Sequence, residues 1–376
     1  MGVGTSRVLG WRGRAILTSV GSNDYKWEKR KVVNPELYLI ADQKDAVCGR
    51  LPGEVSGQQF RIRNCKDSYV FVYDYVNTVT IDDCSNCTIV FGAIQTSVFI
   101  RFCENCTVLT ACQQFRVRDS KNITAFIASV SEPIIETSSL ILFAPFQLFY
   151  PELQGQFRAA GLNQFNCSYS SIHDFSARST SPVNYAFLPL SDDISKHVRL
   201  PKDLEAEISS GDGTGRIKAG EVLQRLKSVQ ASLDADLSTV PITYAGLLID
   251  ETAGGEFALV GLFYHRFVEK HAREIIRILF THSVYLVRTR SLQYSREDIT
   301  RIFGDSTLAA HSLLGPMITL QFQGPTGEVG RLCQAVVSDL VRRESIKPTT
   351  LIHVTQDSLT ASRQADMLAH FPVSRA

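Results

Sequence analysis

The sequence has no charge excess and no long apolar run, and both absences limit what the protein can be. Its 39 Lys and Arg residues balance 38 Asp and Glu residues, which leaves a formal net charge of +1. A balance this close provides no general attraction to nucleic acid. No apolar run reaches the roughly 18 residues that span a bilayer, and the first residues lack the apolar centre of a secretory signal. We expect an intracellular protein that binds no nucleic acid.

Cysteine is present in an odd number, nine residues, and six of them lie in one short region. In a reducing compartment such a cluster indicates metal, redox or packing roles rather than a disulfide framework. CSNC (84–87) and CENC (103–106) have the spacing of a zinc site. The six clustered cysteines are Cys65, Cys84, Cys87, Cys103, Cys106 and Cys112.

An internal repeat offers another account of that spacing. FRIRNC (60–65), VTIDDC (79–84), VFIRFC (98–103) and FRVRDS (115–120) follow one another at nearly even steps, of which the last is slightly shorter, and PIIETS (133–138) continues the series. The first and third positions are mostly apolar and the second and fourth mostly polar, which is the alternation of a strand with one buried face. Coils as short as these bury little alone and must stack. The repeat predicts a right-handed parallel β-helix.

Stacking places equivalent residues of successive coils in columns. One column holds Cys65, Cys84 and Cys103, and another holds Cys87 and Cys106. Cysteine packs well when it is buried, so we expect a core ladder and no metal site, with zinc as the alternative. A further column is expected to form a ladder of turns, because Asn and Asp tolerate tight-turn backbone. It holds Asp67, Asn86, Asn105 and Asn122.

The same alignment sorts the arginines into two outward columns. The fourth positions read Arg63, Asp82, Arg101, Arg118 and Glu136, which indicates a ladder of charges that contribute little each. The second positions read Arg61, Thr80, Phe99, Arg116 and Ile134. Arg116 has no acidic neighbour in its column, and it follows Gln113 and Gln114. It is a candidate for contact with a partner, and the alternative is a solvated surface arginine.

These residues also carry a family resemblance. From residue 49 to residue 175, ACQQFRVRDS, PIIETSS, FQLFYPEL and SSIHDF resemble the tubulin-binding cofactor C domain family, and residues 257–343 resemble the nucleoside-diphosphate-kinase-like domain of one branch of it. The resemblance implies a GTPase-activating protein. One branch acts on tubulin and another on the GTP form of an Arf-like small GTPase at the cilium. GTP and Mg²⁺ would be bound by the partner, so no cofactor is expected in this chain.

The resemblance assigns roles to individual residues. Arg116 matches the family's catalytic arginine finger, which neutralises charge on the phosphoryl group in trans. Gln113 is expected to orient Arg116 or to contact the catalytic machinery of the GTPase, and Gln114 to bind the partner or to hold the local backbone. Two further matches are expected at the interface, Glu136 paired with Arg118 and Phe175 as an apolar anchor.

The N-terminus suggests a lipid anchor. MGVGTS places Gly2 and Ser6 at the positions of a myristoylation signal. One myristoyl chain gives weak, reversible binding, and Arg7, Arg12 and Arg14 would add attraction to an anionic membrane. Together with the resemblance, this predicts the cytoplasmic face of the plasma membrane and the base of a cilium or flagellum.

The rest of the chain divides by pattern. We expect an N-terminal segment at 1–35, the β-helix domain at 36–178, a linker at 179–245, with an amphipathic helix within 220–233, and a flexible tail at 346–376. Between them, strand and helix patterns alternate from 257 to 343, which predicts a ferredoxin-like α/β domain at 246–345. That domain lacks the Asn-x-x-His-Gly-Ser motif of the phosphate-accepting histidine, so we expect it to be non-catalytic.

Three functions remain open. The leading hypothesis is a GTPase activator for an Arf-like GTPase in the trafficking of lipidated proteins to the cilium. The first alternative is activity on tubulin, and the second is a scaffold of the basal body in which Arg116 only binds.

Overall fold

A computed structural model describes residues 34–177, 183–189, 192–210, 220–244, 255–325 and 327–372. Gly2 and the rest of the myristoylation signal lie outside the described residues. From Glu36 onward the chain forms a β-solenoid followed by an α/β region. None of the helices that the structure describes is long and apolar enough to span a bilayer.

Short strands with parallel pairing build the solenoid. The first ten strands are β1 (Leu39–Ala41), β2 (Val47–Arg50), β3 (Phe60–Arg63), β4 (Tyr69–Val72), β5 (Val79–Asp82), β6 (Thr88–Arg101), β7 (Glu104–Arg118), β8 (Lys121–Ser129), β9 (Ile134–Glu136) and β10 (Ser139–Pro145). The residues after β10 add the helix α1 (Leu153–Ala159) and two further strands, β11 (His173–Asp174) and β12 (Tyr185–Phe187). The predicted parallel β-helix is confirmed by the parallel pairing.

Two sheets share the long strands β6 and β7. Sheet A has the order β1-β3-β5-β6-β7-β9-β11 and uses the carboxyl ends of β6 and β7. Sheet B has the order β2-β4-β6-β7-β8-β10-β12 and uses their amino-terminal parts. The inner side chains of the two sheets meet in one buried core.

The registers confirm the alignment of the repeats. Strand partners place Ile62, Ile81, Ile100, Val117 and Ile135 in one column, and all five side chains are buried. Each coil therefore buries its apolar side chains against the next coil rather than against itself, which is the reason that a single coil cannot be stable.

The predicted turn ladder is present, and a second one accompanies it. Residues of the first ladder, which the sequence identified, have φ between +49° and +55°. The second ladder lies three residues earlier in each coil and was not predicted. Asn and Asp adopt this left-handed backbone more readily than other residues that carry a Cβ. The second ladder consists of Asp42, Asn64, Asp83, Phe102, Asp119 and Thr137.

Register shifts between β6 and β7 explain why the step from VFIRFC (98–103) to FRVRDS (115–120) is shorter than the two steps before it. The partner of Val90 is Leu109, but further along the same pair of strands Ile94 pairs with Cys112 and Ser97 with Gln114. The distance along the chain between partners thus falls by one residue at each of two shifts. The following coil therefore begins two residues early, and this shortening lies immediately before Arg116.

The predicted linker is wrong for most of its described length. Strand β12 joins sheet B, and helices α2 (Pro201–Ser210) and α3 (Gly220–Lys227) belong to a second core on the outer side of that sheet. The Ser, Gly and Thr content concealed a few well-spaced apolar residues, among them Leu204, Leu223 and Leu226, which are buried there. The predicted amphipathic helix is confirmed as α3.

The α/β region contains a four-stranded antiparallel sheet. Its elements are β13 (Glu256–Leu262), α4 (Val268–Thr281), β14 (Tyr285–Leu292), α5 (Arg296–Phe303), α6 (Ser306–Ala309), β15 (Met317–Gly324), α7 (Val329–Arg343), β16 (Ile352–Thr355) and α8 (Ser358–Ala369). The strands lie in the order β14-β15-β13-β16, which is the ferredoxin-like order and confirms the predicted class. Ser295 caps α5 by accepting a hydrogen bond from the Asp298 amide.

The predicted flexible tail at 346–376 is also wrong where the structure describes it. Strand β16 pairs with β13, and Asp357 caps α8 by accepting a hydrogen bond from the Thr360 amide. The buried face of α8 consists of Ala361, Gln364, Ala365 and Leu368. Three of these residues are small or polar, so the segment has the helical spacing of a core element without its usual hydrophobicity.

Hydrogen bonds join the α/β region to the solenoid. Arg273 of α4 donates to the carbonyls of Ser238 and Thr239 and to Gln164. Asn166 and the Ser291 backbone bond reciprocally, at 2.8 and 3.0 Å. A cleft of about 380 Å³ remains beside this junction.

Two histidines of the α/β region form a pair in which His271 is buried and His265 is half-buried. Nδ1 of His265 lies 2.8 Å from the Phe263 carbonyl, which can only accept, so this nitrogen carries the proton. Nε2 of His265 then accepts from Nδ1 of His271, also at 2.8 Å. That arrangement leaves the buried Nε2 of His271 without a proton, 3.9 Å from the Glu344 carboxylate. Burial and the neighbouring His265 lower the pKa of His271.

Gly49 of β2 lies against Leu226 of α3, and its substitution tests that packing. A Cβ added there would lie 2.5 Å from the Phe71 carbonyl and 2.7 Å from Leu226. We expect Gly49→Ala to lower the free energy of unfolding by about 1–3 kcal/mol, the usual effect of overpacking, measured by urea denaturation. Gly155→Ala is the control, because no atom lies within 4 Å of its added Cβ and alanine favours helix by about 0.5–1 kcal/mol. Equal stability of Gly49→Ala and wild type would contradict this packing.

His271 should make stability depend on pH. Its folded pKa lies below its unfolded value of about 6.5, so the unfolded chain takes up a proton first as the pH falls. The contribution is complete above about pH 6.5 and declines below it. We expect His271→Gln to show a smaller loss of unfolding free energy between about pH 7 and 5.5 than wild type. Parallel curves for the two proteins would contradict the neutral buried imidazole.

Candidate functional site

The outer side of sheet A presents a set of outward side chains that we call the Arg116 face. Because side chains alternate along each strand, residues two apart on β7 share this face with their partners on β6 and β9. One row runs Phe99, Arg116, Ile134, His173, and the next continues Arg101, Arg118, Glu136. The face comprises Phe99, Arg101, Gln114, Arg116, Arg118, Ile134, Glu136, His173 and Phe175.

Arg116 occupies the middle of this face. Its backbone is paired with Phe99 on one side and with Ile134 on the other, so both neighbouring strands fix its position. Its side chain is exposed, while Phe99 and Ile134 are half-buried. Among the residues that the structure describes, none forms a hydrogen bond or ion pair with the Arg116 guanidinium. The strand pairing confirms that the residues of this column are neighbours across the sheet, as the alignment predicted.

The charge ladder forms only in part. Arg101 contacts both carboxylate oxygens of Asp82, at 2.7 and 3.0 Å, which raises the pKa of Arg101. Arg118 instead contacts Asp119, the next residue along the chain, at 3.0 Å. Its expected ion pair with Glu136 does not form, although the two residues are strand partners.

A local network explains why Arg118 turns to Asp119. The Asp119 carboxylate also accepts a hydrogen bond of 2.6 Å from the Thr137 hydroxyl. That bond and the Arg118 guanidinium hold the pKa of Asp119 below its usual range. The carboxylate is thus fixed beside Arg118, while Glu136 remains exposed and available to a partner.

Strand β7 turns a corner where it passes from sheet B to sheet A, and the two glutamines lie on different sides of that corner. Gln114 is the partner of Ser97, whose hydroxyl donates to its side-chain oxygen at 3.3 Å, and it shares the outer face with Arg116. Gln113 lines the junction cleft together with Arg288, Arg290 and other residues of the α/β region. No hydrogen bond joins the described side chains of Gln113 and Arg116. The predicted orienting contact is therefore absent from this structure, and the glutamine on the arginine's own face is Gln114.

Phe175 lies at the far end of the same face. Its amide donates to the Ile135 carbonyl at 2.9 Å, which places it beside Glu136. Its ring is 67% exposed and contacts the His173 ring edge-on, with 4.3 Å between centroids. His173 was not singled out from the sequence, because its place beside Arg116 depends on the pairing of β11 with β9.

The cysteine columns lie in the core of the solenoid. All five column thiols are at most 2% exposed. A hydrogen bond with Cys103, together with burial, raises the pKa of Cys84 to about 12. The same hydrogen bond lowers the pKa of Cys103, so these two thiols of the column are not equivalent. The described residues contain no group of three or more His, Cys, Asp or Glu side chains placed to hold a metal ion.

Chemically, the Arg116 face offers one free guanidinium on a rigid backbone between apolar side chains. A planar cation of this kind can contact two oxygens of a phosphate at once. The site is therefore suited to stabilise negative charge on a group that another molecule brings.

Comparison with known proteins relates this geometry to a family. Residues 57–175 match the family model for tubulin binding cofactor C. The chain is 36% identical to human Protein XRP2 over 349 residues, covering 92% of this chain and 91% of that protein. It is 32% identical to human Tubulin-specific chaperone C over 130 residues, 34% of this chain and 37% of that protein.

A solved structure of Aquifex aeolicus nucleoside diphosphate kinase is also similar, with a TM-score of 0.26 and 10% identity, over 31% of this chain and 95% of that chain.

Proposed function

The chain belongs to the XRP2 (retinitis pigmentosa 2) family, whose tubulin-binding cofactor C domain it carries, and from that premise we propose that it is a GTPase-activating protein. Its partner would be an Arf-like small GTPase in the GTP form. Arg116 would enter the partner's active site as an arginine finger. The observation that carries the proposal is the free, exposed guanidinium of Arg116 at the centre of sheet A.

The chemistry of GTP hydrolysis suits this arrangement. Charge on the transferred phosphoryl group rises toward the transition state, and a fixed cation beside it lowers the barrier. Arg116 would bring that cation with little reorganisation, because hydrogen bonds to β6 and β9 hold its strand. GTP and Mg²⁺ would belong to the partner.

The other residues of the face would bind the partner. Glu136 is exposed and is not held by Arg118, and Phe175 is an exposed ring at the edge. Gln114 lies on the arginine's side of the corner and is the better placed glutamine for the nucleotide. Gln113 would act from the cleft, through the backbone of the corner.

Tubulin is a second candidate partner. The similarity to Tubulin-specific chaperone C supports it, and that similarity covers about a third of this chain. The matched segment would then be the part that acts, and the α/β region would be dispensable.

We also propose that Gly2 carries a myristoyl chain and that the protein works at the cytoplasmic face of the plasma membrane near the base of a cilium. The N-terminal motif supports the lipid, and the family resemblance supports the location. Mass spectrometry of the protein from its own cells, compared with a Gly2→Ala variant, tests it, and an unmodified N-terminus would refute it.

Single-turnover GTP hydrolysis tests the role of Arg116. With saturating wild-type protein we expect an Arf-like GTPase to hydrolyse GTP about 10³–10⁵ times faster than alone, and Arg116→Ala to remove this stimulation. Arg116→Lys should remain inactive, because an ammonium ion cannot contact two oxygens in a plane. Binding to the GTPase with a non-hydrolysable GTP analogue should persist in both variants.

Arg61→Ala is the matched control. Arg61 is exposed in the same column, on β3, and should leave the stimulation unchanged. Tubulin is assayed in parallel. Stimulation of tubulin alone would transfer the function to the second candidate, and binding without stimulation in wild type would leave only the scaffold.

The two glutamines give a second prediction. We expect Gln114→Ala to lower the maximal rate of stimulated hydrolysis at least tenfold, and Gln113→Ala to change it less than about twofold, because only Gln114 shares the face of Arg116. The reverse pattern would restore the assignment made from the family motif.

A further inference from the structure

Phe102 is an aromatic residue in the second turn ladder, with Asp83 and Asp119 at the equivalent positions of the neighbouring coils. All three residues have φ between +46° and +53°. Aspartate and asparagine tolerate this backbone, whereas for a bulky side chain it is an outlier. The coil would be less strained with an aspartate or asparagine at this position.

Burial does not compensate for this strain. The Phe102 side chain is 58% exposed. It belongs to none of the buried clusters and makes no ring contact with the other residues that the structure describes. A strained backbone that exposes an aromatic ring is unfavourable for the isolated protein in two respects. Such outliers are a reason to look for a function.

Its position relates it to the Arg116 face. Phe102 follows Arg101 directly, and its amide donates to the Arg118 carbonyl at 3.4 Å. At the other end of the same row, Phe175 lies beside Glu136. Three strand spacings separate the β6 and β11 ends of that row, about 14 Å at the usual distance between strands. Two exposed phenylalanines thus flank the row that contains Arg118 and Glu136.

The spacing fits the core of a protein interface. A specific interface buries about 800 Å² on each partner, and its energy is concentrated in a few aromatic or arginine side chains near the centre. Phe102, Arg116 and Phe175 all fall within a patch of that size. Arg118 between the two rings is paired with Asp119, so the two rings, Arg116 and Glu136 are the groups with most to gain from a partner.

We propose that Phe102 is a docking residue that helps to select the GTPase partner, and this rests on the function proposed above. The GTP form of the small GTPase would present an apolar depression for the Phe102 ring at one edge, with its nucleotide beside Arg116. Phe102 would contribute affinity and would leave the chemical step unaffected. The backbone strain would then be retained because it accompanies an exposed ring that binds the partner.

Phe102→Asn removes the docking ring and relieves the backbone strain at the same time, because asparagine already occupies this ladder at Asn64. Binding and stability should therefore change in opposite directions. We expect the melting temperature of the variant to rise. Its half-saturating concentration in GTPase stimulation and its Kd for the GTPase with a non-hydrolysable GTP analogue should both rise at least tenfold. The maximal rate at saturation should stay within about twofold of wild type, since an interaction made equally before and in the transition state does not change that step.

Leu140→Asn is the matched control. Leu140 also has a positive φ, +57°, and is 60% exposed, but it belongs to the other turn ladder, in β10 of sheet B. The same relief of strain should raise its melting temperature without changing the Kd. If Leu140→Asn weakened binding as much as Phe102→Asn, the effect would not be specific and the inference would be wrong.

The remaining outcomes also decide the matter. An unchanged Kd for Phe102→Asn, or a lower melting temperature, would show that the ring does not dock or that it supports the fold, and either result overturns the inference. So would light scattering that showed wild-type dimers lost in Phe102→Asn with an unchanged Kd for the GTPase. If wild type binds without accelerating hydrolysis, the activating function fails and the Kd ratio still decides the role of Phe102. If wild type does not bind, both fail.

Discussion

Coil-to-coil register is the constraint on which the rest of the structure depends. Parallel hydrogen bonds and the buried columns of Ile, Val and Cys hold each coil of the solenoid directly over the next. A slip by one residue would turn every buried side chain outward. The inward columns fix the register of the coils. The positions of the outward residues are therefore fixed as well, even where an outward side chain makes no interaction. Arg116 can therefore be held in place and still leave its guanidinium free.

The two sheets differ in what covers them, and the difference determines where a partner can bind. The central strands of sheet B are buried on both sides, and Ile123–Ser129 of β8 forms one continuous buried run. Strands of sheet A alternate between buried and accessible side chains, as FRIR of β3 does. The contrast is the usual one between sheets covered on two sides and on one. Helices α1, α2 and α3 occupy the outer side of sheet B and leave the Arg116 face to solvent.

Much of the solenoid could be predicted from the sequence, because equivalent residues of successive repeats stack on one another in the fold. The columns of Cys84 and Arg116 followed from alignment alone. Helix α8 could not be recognised in the same way, since its buried face relies on Ala361, Ala365 and a hydrogen-bonded Gln364 rather than on large apolar residues. The pairing of Arg118 with Asp119 was also beyond the sequence. Strand alignment gives neighbours across the sheet, whereas this contact runs along the chain to a carboxylate fixed by Thr137.

The corner before Arg116 explains why two adjacent glutamines face different surroundings. In β6 the chain uses Gln95 and Thr96 to pass from Ile94 to Ser97, whereas in β7 Gln113 alone separates Cys112 from Gln114. With one residue to turn the corner, Gln113 is left facing the cleft beside the α/β region, and Gln114 already lies in the first row of sheet A. Arg273 and Asn166 hold the α/β region against the solenoid at this junction. The shortened coil therefore lines the cleft beside this junction with Gln113 and carries the free arginine three residues later.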